Sequence, residues 1–131
     1  METHHLGIMV IDDENIVGKR LKTALEKSGD TVETFVDGEK ALARFDEAPF
    51  DVVVTDIRME KIDGLEILEH IVEKSDRTKV IMITGYATVE TAREALAKGA
   101  FDFIAKPFKP SDLRAIVKRA AEELQDRRCI A

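Results

Sequence analysis

Short apolar runs alternate along the chain with segments whose apolar residues recur at helical spacing. Five runs are predicted to be β-strands, at residues 6–11, 31–35, 51–55, 79–84 and 101–105. The first, third and fourth runs are almost continuously apolar, which is typical of central strands covered on both faces. The second run, TVETF, alternates between polar and apolar residues and fits an edge strand.

Each strand is followed by a helical pattern, which we interpret as one apolar stripe facing the core. Gly29 and Gly99 suit the C-terminal ends of the first and fourth helices, and Pro110 suits the first turn of the last. The stripes predicted to face the core are Val17, Leu21, Ala24, Leu25; Ala41, Leu42, Phe45; Leu65, Leu68, Ile71, Val72; Val89, Ala92, Ala95, Leu96; and Leu113, Ile116, Val117, Ala120, Leu124.

This repeated strand–helix order predicts an α/β fold, (βα)5, with a doubly wound, five-stranded parallel sheet. In such sheets, ligands bind outside the carboxyl ends of the strands. We expect a single domain over residues 6–127, a leader at 1–5 and a C-terminal tail at 128–131.

Composition narrows the function classes. The 131 residues carry a net charge of −6, so we expect no direct binding of nucleic acid. No apolar run approaches the roughly 20 residues that span a membrane, and METHHLG does not resemble a signal peptide. Cys129 is the only cysteine, which excludes an internal disulfide. These features predict a cytoplasmic location without membrane association.

Polar residues stand at the ends of four of the predicted strands. Asp12 and Asp13 follow the first, Asp56 the third, Thr84 the fourth and Lys106 the fifth. Parallel strands place all of these ends at one rim of the sheet. Each residue alone has a simpler explanation; Asp13, for example, could cap the first helix. Together they predict a site.

The chemistry of this set favours phosphoryl transfer. Clustered carboxylates raise one another's pKa, and a hard divalent ion such as Mg²⁺ removes that repulsion. A carboxylate can attack phosphorus and form an aspartyl-phosphate, while an ammonium and a hydroxyl position the transferred group. The chain contains neither a G-x-x-x-x-G-K-[ST] loop nor a G-x-G-x-x-G motif after the first strand.

Four segments resemble the receiver domain of two-component response regulators: VIDDEN, VVVTDIRMEKIDG, VIMITGYA and DFIAKPF. The resemblance extends from about residue 6 to residue 124 and keeps the order and spacing of the motifs. It implies a flavodoxin-like receiver fold with strand order 2-1-3-4-5.

The resemblance also implies roles for the carboxylates. Asp56 corresponds to the phosphoacceptor. Asp13 and Asp56 correspond to direct Mg²⁺ ligands, with the backbone carbonyl of Arg58 as the third, and Asp12 holds the metal through water. Mn²⁺ is expected to substitute for Mg²⁺.

Three further positions correspond to the switch machinery of the family. Lys106 is expected to pair with the phosphoryl oxygens, and its peptide bond to Pro107 is often cis in the family. Thr84 is expected to hydrogen-bond the phosphoryl group, and Phe103 occupies the aromatic switch position. Phosphorylation is then expected to change the face formed by the fourth helix, fifth strand and fifth helix.

The sequence departs from the family at Glu60, where relatives usually carry proline. Glu60 either points into solvent or makes the loop more mobile and alters metal affinity or phosphoryl lifetime. Arg58 and Tyr86 lie two residues after Asp56 and Thr84, where side chains can flank the path of the hydrolytic water. Their bulk predicts slow self-dephosphorylation.

The expected function is a switch phosphorylated by a sensor histidine kinase or phosphotransfer protein, not an enzyme that turns over an external substrate. The alternatives are an aspartyl-nucleophile phosphatase or phosphotransferase, disfavoured by Arg58 where a general acid is typical, and a non-phosphorylated binding module. The chain is either a stand-alone receiver or the excised front of a longer transcriptional regulator. Its target is then an output domain, another protein or, after phosphorylation, a second copy.

Overall fold

The structure, a computed structural model, describes residues 5–59, 62–85 and 89–130, apart from the side chains of residues 89 and 126–130. Its sheet has five parallel strands in the order β2-β1-β3-β4-β5. This order confirms the prediction, including the edge position of the alternating strand. The strands are β1 (Gly7–Ile11), β2 (Thr31–Phe35), β3 (Val52–Asp56), β4 (Lys79–Thr84) and β5 (Asp102–Ala105).

A helix follows each strand, as predicted. Gly29 and Gly99 have φ values of 91° and 108°, in the left-handed region that glycine adopts readily, just beyond the ends of the first and fourth helices. Pro110 is the first residue of the last helix, which runs through the predicted boundary at residue 127. The helices are α1 (Asn15–Glu26), α2 (Gly38–Glu47), α3 (Gly64–Lys74), α4 (Val89–Ala97) and α5 (Pro110–Ile130).

The sheet separates two hydrophobic cores because alternate residues of each strand face opposite sides. Ile8 and Val10 of β1 pack in the core that α1 and α5 cover. Met9 and Ile11 pack in the core formed with α2, α3 and Ala95 of α4. Helices therefore cover both faces, and the predicted doubly wound α/β arrangement is confirmed.

Two predictions of core positions are wrong. Val72 and Leu96 are 42% and 46% exposed, because the faces of α3 and α4 that pack on the sheet turn away from them. On α3, Ile67 is instead fully buried, and among the described side chains of α4 the buried one is Ala95; the side chain of Val89, also predicted to face the core, lies outside the described part. Among the described residues, no helix combines the length and the apolar character that crossing a bilayer requires.

Candidate functional site

The carboxyl ends of the strands bring the predicted polar residues together. Asp12 and Asp13 come directly after β1, which pairs with β3, so that both approach Asp56 at the end of β3. One carboxylate oxygen from each of these three residues lies within 4.8 Å of the others. Thr84 ends β4, and Lys106 follows β5 directly. The rim predicted from the sequence therefore exists as a cluster in space.

Exposure differs within this cluster. Asp12, Asp56 and Thr84 are 1%, 7% and 3% exposed, whereas Asp13 is exposed. Within the described part of the chain, the Asp13 carboxylate makes no hydrogen bond or ion pair. Asp13 also does not cap α1, because Glu14 is the N-cap residue of that helix. The capping explanation of Asp13 is therefore wrong.

Lys106 binds the centre of the cluster. Its Nζ lies 2.8 Å from Asp56 Oδ2, 3.5 Å from Asp12 Oδ2 and 4.0 Å from Glu14 Oε1. Its backbone N–H donates to the carbonyl of Thr84 at 2.8 Å, which ties the start of the β5–α5 loop to β4. The bond from Lys106 to Pro107 is cis.

Burial disfavours the charged form of Lys106, but its pKa is nevertheless raised above the ordinary value. The hydrogen bond to Asp56 and the charges of Asp12, Asp56 and Glu14 outweigh the burial effect. Lys106 therefore carries its positive charge next to Asp56 at neutral pH.

Asp12 is a buried carboxylate with unequal oxygens. Oδ1 accepts a hydrogen bond from the backbone N–H of Glu14 at 2.8 Å. Oδ2 is buried and accepts no hydrogen bond from the described residues, although Lys106 Nζ lies 3.5 Å away. Burial raises the pKa of Asp12, and the charges of Asp56 and Asp13 add to this, against the opposing effects of Glu14 N–H and Lys106.

Asp56 is held on both sides. Its Oδ1 accepts from the backbone N–H of Arg58 at 3.0 Å, and its Oδ2 accepts from Lys106. Behind it, Gly64 begins α3 so close to β3 that a Cβ atom there would lie 2.3 Å from the carbonyl oxygen of Asp56. Gly64 was missed as a positioning residue, although the Asp-Gly pair at 63–64 is a signal of close backbone approach.

Of the other four predicted site residues, Phe103 and Arg58 are described by the structure and two are not. Phe103 is half-buried and packs against the core that α2 and α3 cover. Arg58 is exposed, and the role of its carbonyl as a metal ligand stays a prediction. Glu60 and Tyr86 lie outside the described residues.

The donor set fits a hard divalent cation. All three side chains offer carboxylate oxygens, which Mg²⁺ prefers, and Oδ2 of Asp12 is a buried acceptor that no described group hydrogen-bonds.

Comparison with known proteins identifies the family. The profile of the response regulator receiver domain matches residues 8–118. The chain belongs to this family. Regulatory protein AtoC of Escherichia coli K12 is 43% identical to this chain over 115 residues, which are 88% of this chain and 25% of AtoC.

Solved structures agree with this assignment. A CheY-like receiver domain protein of Methanospirillum hungatei superposes with a TM-score of 0.89 at 30% identity, over 95% of this chain and 99% of that one. NtrX of Brucella abortus gives the same TM-score at 32% identity, over 97% of this chain and 29% of NtrX. The chain spans a quarter to about half of the length of the curated relatives it matches.

Proposed function

We propose that this receiver domain is a phosphorylation-dependent switch whose phosphoacceptor is Asp56. The observation that carries the proposal is the position of the Asp56 carboxylate, which lies next to both Lys106 and the acidic pair of Asp12 and Asp13. An Asp56 oxygen attacks the phosphorus of a phosphohistidine, and the bond between phosphorus and the imidazole nitrogen breaks. The imidazole leaves with that electron pair and takes up a proton.

Asp13, Asp56 and the carbonyl of Arg58 would hold Mg²⁺ or Mn²⁺ directly, and Asp12 would act through water. The ion would supply positive charge that offsets the carboxylates and the phosphoryl group. The exposed Asp13, which has no partner among the described residues, supports its role as a direct ligand. Asp12 is already bonded to Glu14 N–H and close to Lys106, which supports an indirect role.

Lys106 exchanges its bond with Asp56 for one with a phosphoryl oxygen, and the Thr84 hydroxyl donates a second hydrogen bond. Both residues sit at the ends of β4 and β5, so their movement is passed to Phe103 and to the face formed by α4, β5 and α5. The domain catalyses only its own phosphorylation and slow dephosphorylation, and in this sense it is not an enzyme.

The donor is a sensor histidine kinase or a phosphotransfer protein in the cytoplasm. The receiver either acts alone on a protein target or belongs to a longer transcriptional regulator; in support of the latter, it spans a quarter to about half of relatives that are named transcriptional regulators. Phosphorylation is proposed to promote pairing of two copies, without direct binding of nucleic acid or membrane by this domain.

The test is to incubate the protein with acetyl phosphate and Mg²⁺ and to measure its intact mass. The switch predicts addition of one phosphoryl group, which Asp56→Asn abolishes and Asp46→Asn, on the last turn of α2, preserves. Continuous release of many phosphates per protein would instead identify a phosphatase. No adduct in the wild-type protein would identify a binding module that is not phosphorylated.

A further inference from the structure

Glu14 is a carboxylate at the edge of the site whose side chain makes no hydrogen bond with any described residue. It occupies the N-cap position of α1, yet its side chain makes no capping hydrogen bond and is 68% exposed. The contact the structure gives that side chain is with Lys106 Nζ, at 4.0 Å.

The backbone of Glu14 is fixed on both sides. Its N–H donates to Asp12 Oδ1 at 2.8 Å, and its carbonyl accepts from the N–H groups of Val17 and Gly18 at 3.1 and 3.3 Å. The side chain therefore projects from a defined point next to the acidic pair. A change confined to its charge should leave this backbone arrangement intact.

The Glu14 carboxylate is also close to the proposed phosphoacceptor. Lys106 Nζ lies 4.0 Å from Glu14 Oε1 and 2.8 Å from Asp56 Oδ2, so these two oxygens are at most about 7 Å apart. A group that approaches Asp56 thus meets the negative charge of Glu14. Across about 7 Å of water, one unit charge changes the encounter with another by roughly threefold.

We propose that Glu14 is a specificity-determining residue that disfavours strongly anionic phosphodonors relative to donors whose charge is compensated. This inference rests on the proposed function. Phosphoryl groups carry about two negative charges near neutral pH, and acyl phosphates keep that charge. In phosphoramidate, a proton on the nitrogen bonded to phosphorus offsets part of it, and in a phosphohistidine a proton on the other ring nitrogen does the same. The partner that Glu14 favours is therefore a protein-borne phosphohistidine.

The two classes of donor react by balanced steps that differ only in the leaving group. With acetyl phosphate, Asp56 forms a bond to phosphorus, the phosphorus–oxygen bond breaks and acetate leaves. With phosphoramidate, the phosphorus–nitrogen bond breaks and ammonia leaves with the electron pair and the proton on its nitrogen. The ratio of the two rate constants therefore reports the discrimination by charge.

The experiment measures both rate constants from time courses of intact mass, at saturating Mg²⁺ and about 0.1 M salt. Glu14→Gln is expected to raise the ratio of the acetyl phosphate rate to the phosphoramidate rate by about 1.6-fold, because the Debye length of about 10 Å at 0.1 M salt halves the unscreened interaction energy. Glu14→Asp, which keeps the charge, should stay near wild type. In about 1 M salt, the difference between wild type and Glu14→Gln should largely vanish, because the Debye length falls to about 3 Å.

Glu26→Gln is the matched control, because Glu26 ends the same helix, about 18 Å from its start. An unchanged ratio in Glu14→Gln, or an equal change in Glu26→Gln, would overturn the role of Glu14. If neither donor labels the wild-type protein, the proposed function itself is overturned. The two failures are therefore distinguishable.

Discussion

At the scale of single residues, the site combines groups that would be unfavourable alone. Asp12 is buried beside two further carboxylates, and Lys106 offsets part of their repulsion. Burial of a carboxylate without full hydrogen bonding costs stability, and a raised pKa reports that cost. The cluster is thus arranged to bind charge, at the expense of the stability of the metal-free protein.

Asp12→Asn should therefore stabilise the metal-free protein at neutral pH. The folded-state pKa of Asp12 is raised, so the folded state binds the proton more tightly than the unfolded state does. The contribution of Asp12 to the free energy of unfolding hence decreases as pH rises through that pKa. We expect a gain on the order of 1 kcal/mol at pH near 7, shrinking toward acidic pH, in urea unfolding with a chelator.

Asp13→Asn is the control for this measurement, because Asp13 is exposed and its neutralisation should stabilise less. A gain that is equal in the two variants, or that grows as pH falls, would contradict the assignment of the buried charge to Asp12.

For Mg²⁺ affinity, the order of the two aspartates should be reversed, with the larger effect at Asp13. Asp13→Ala removes a proposed direct ligand and should weaken Mg²⁺ binding more than Asp12→Ala does. For Asp12→Ala, which removes a water-mediated partner, we expect a loss of about tenfold in Mg²⁺ affinity. Calorimetric titration of each variant with Mg²⁺ checks the order. Equal losses would show that the proposed division between direct and water-mediated ligands is wrong.

At the scale of the elements, the junction between β3 and α3 fixes the phosphoacceptor. The N–H of Gly64 donates to the carbonyl of Ile57 at 2.7 Å, and Asp63 with Glu66 forms a reciprocal cap at the start of α3. The helix therefore begins in direct contact with the backbone of Asp56. Any side chain at position 64 must displace one of the two elements.

Gly64→Ala should destabilise the domain by about 1–3 kcal/mol, because its Cβ would lie 2.3 Å from Asp56 O and 2.7 Å from Ile57 Cα. Both are backbone atoms that no rotamer change can move. The rate of phosphorylation by acetyl phosphate should fall with it. Gly85→Ala is the matched control for stability, since a Cβ there meets no atom of the described residues within 4 Å; an equal loss in both would exclude the steric cause.

The sequence predicted each strand to within one residue, because apolar residues mark every strand, nearly continuously in the first, third and fourth and at alternate positions in the second. The order of the strands came from the resemblance, since periodicity does not specify which strands are neighbours. The exposed positions of Val72 and Leu96 could not be predicted, because a stripe wider than the contact surface does not show which of its members face the sheet. The contact of Glu14 with Lys106 and the close approach of Gly64 to Asp56 were missed because both are distances across the fold.

At the scale of the whole molecule, the face made by α4, β5 and α5 is only partly covered. β5 is an edge strand, and the residues of β5 are only partly buried or exposed. Among the described side chains of α4, Ala95 is buried and Leu96 is 46% exposed. This face is attached to the site through Lys106, whose backbone N–H bonds to the carbonyl of Thr84. A change at the site is therefore expected to alter this surface.

Sedimentation velocity with Mg²⁺ and beryllofluoride, a phosphoryl mimic, tests the proposed pairing of two copies. We expect a shift from monomer to dimer, because a partner that covers the edge strand and Leu96 removes apolar surface from water. Asp56→Asn should remain monomeric under the same conditions. If the wild-type protein also remains monomeric, this face does not pair two receivers. A dimer that forms equally in Asp56→Asn would instead separate pairing from the phosphoacceptor.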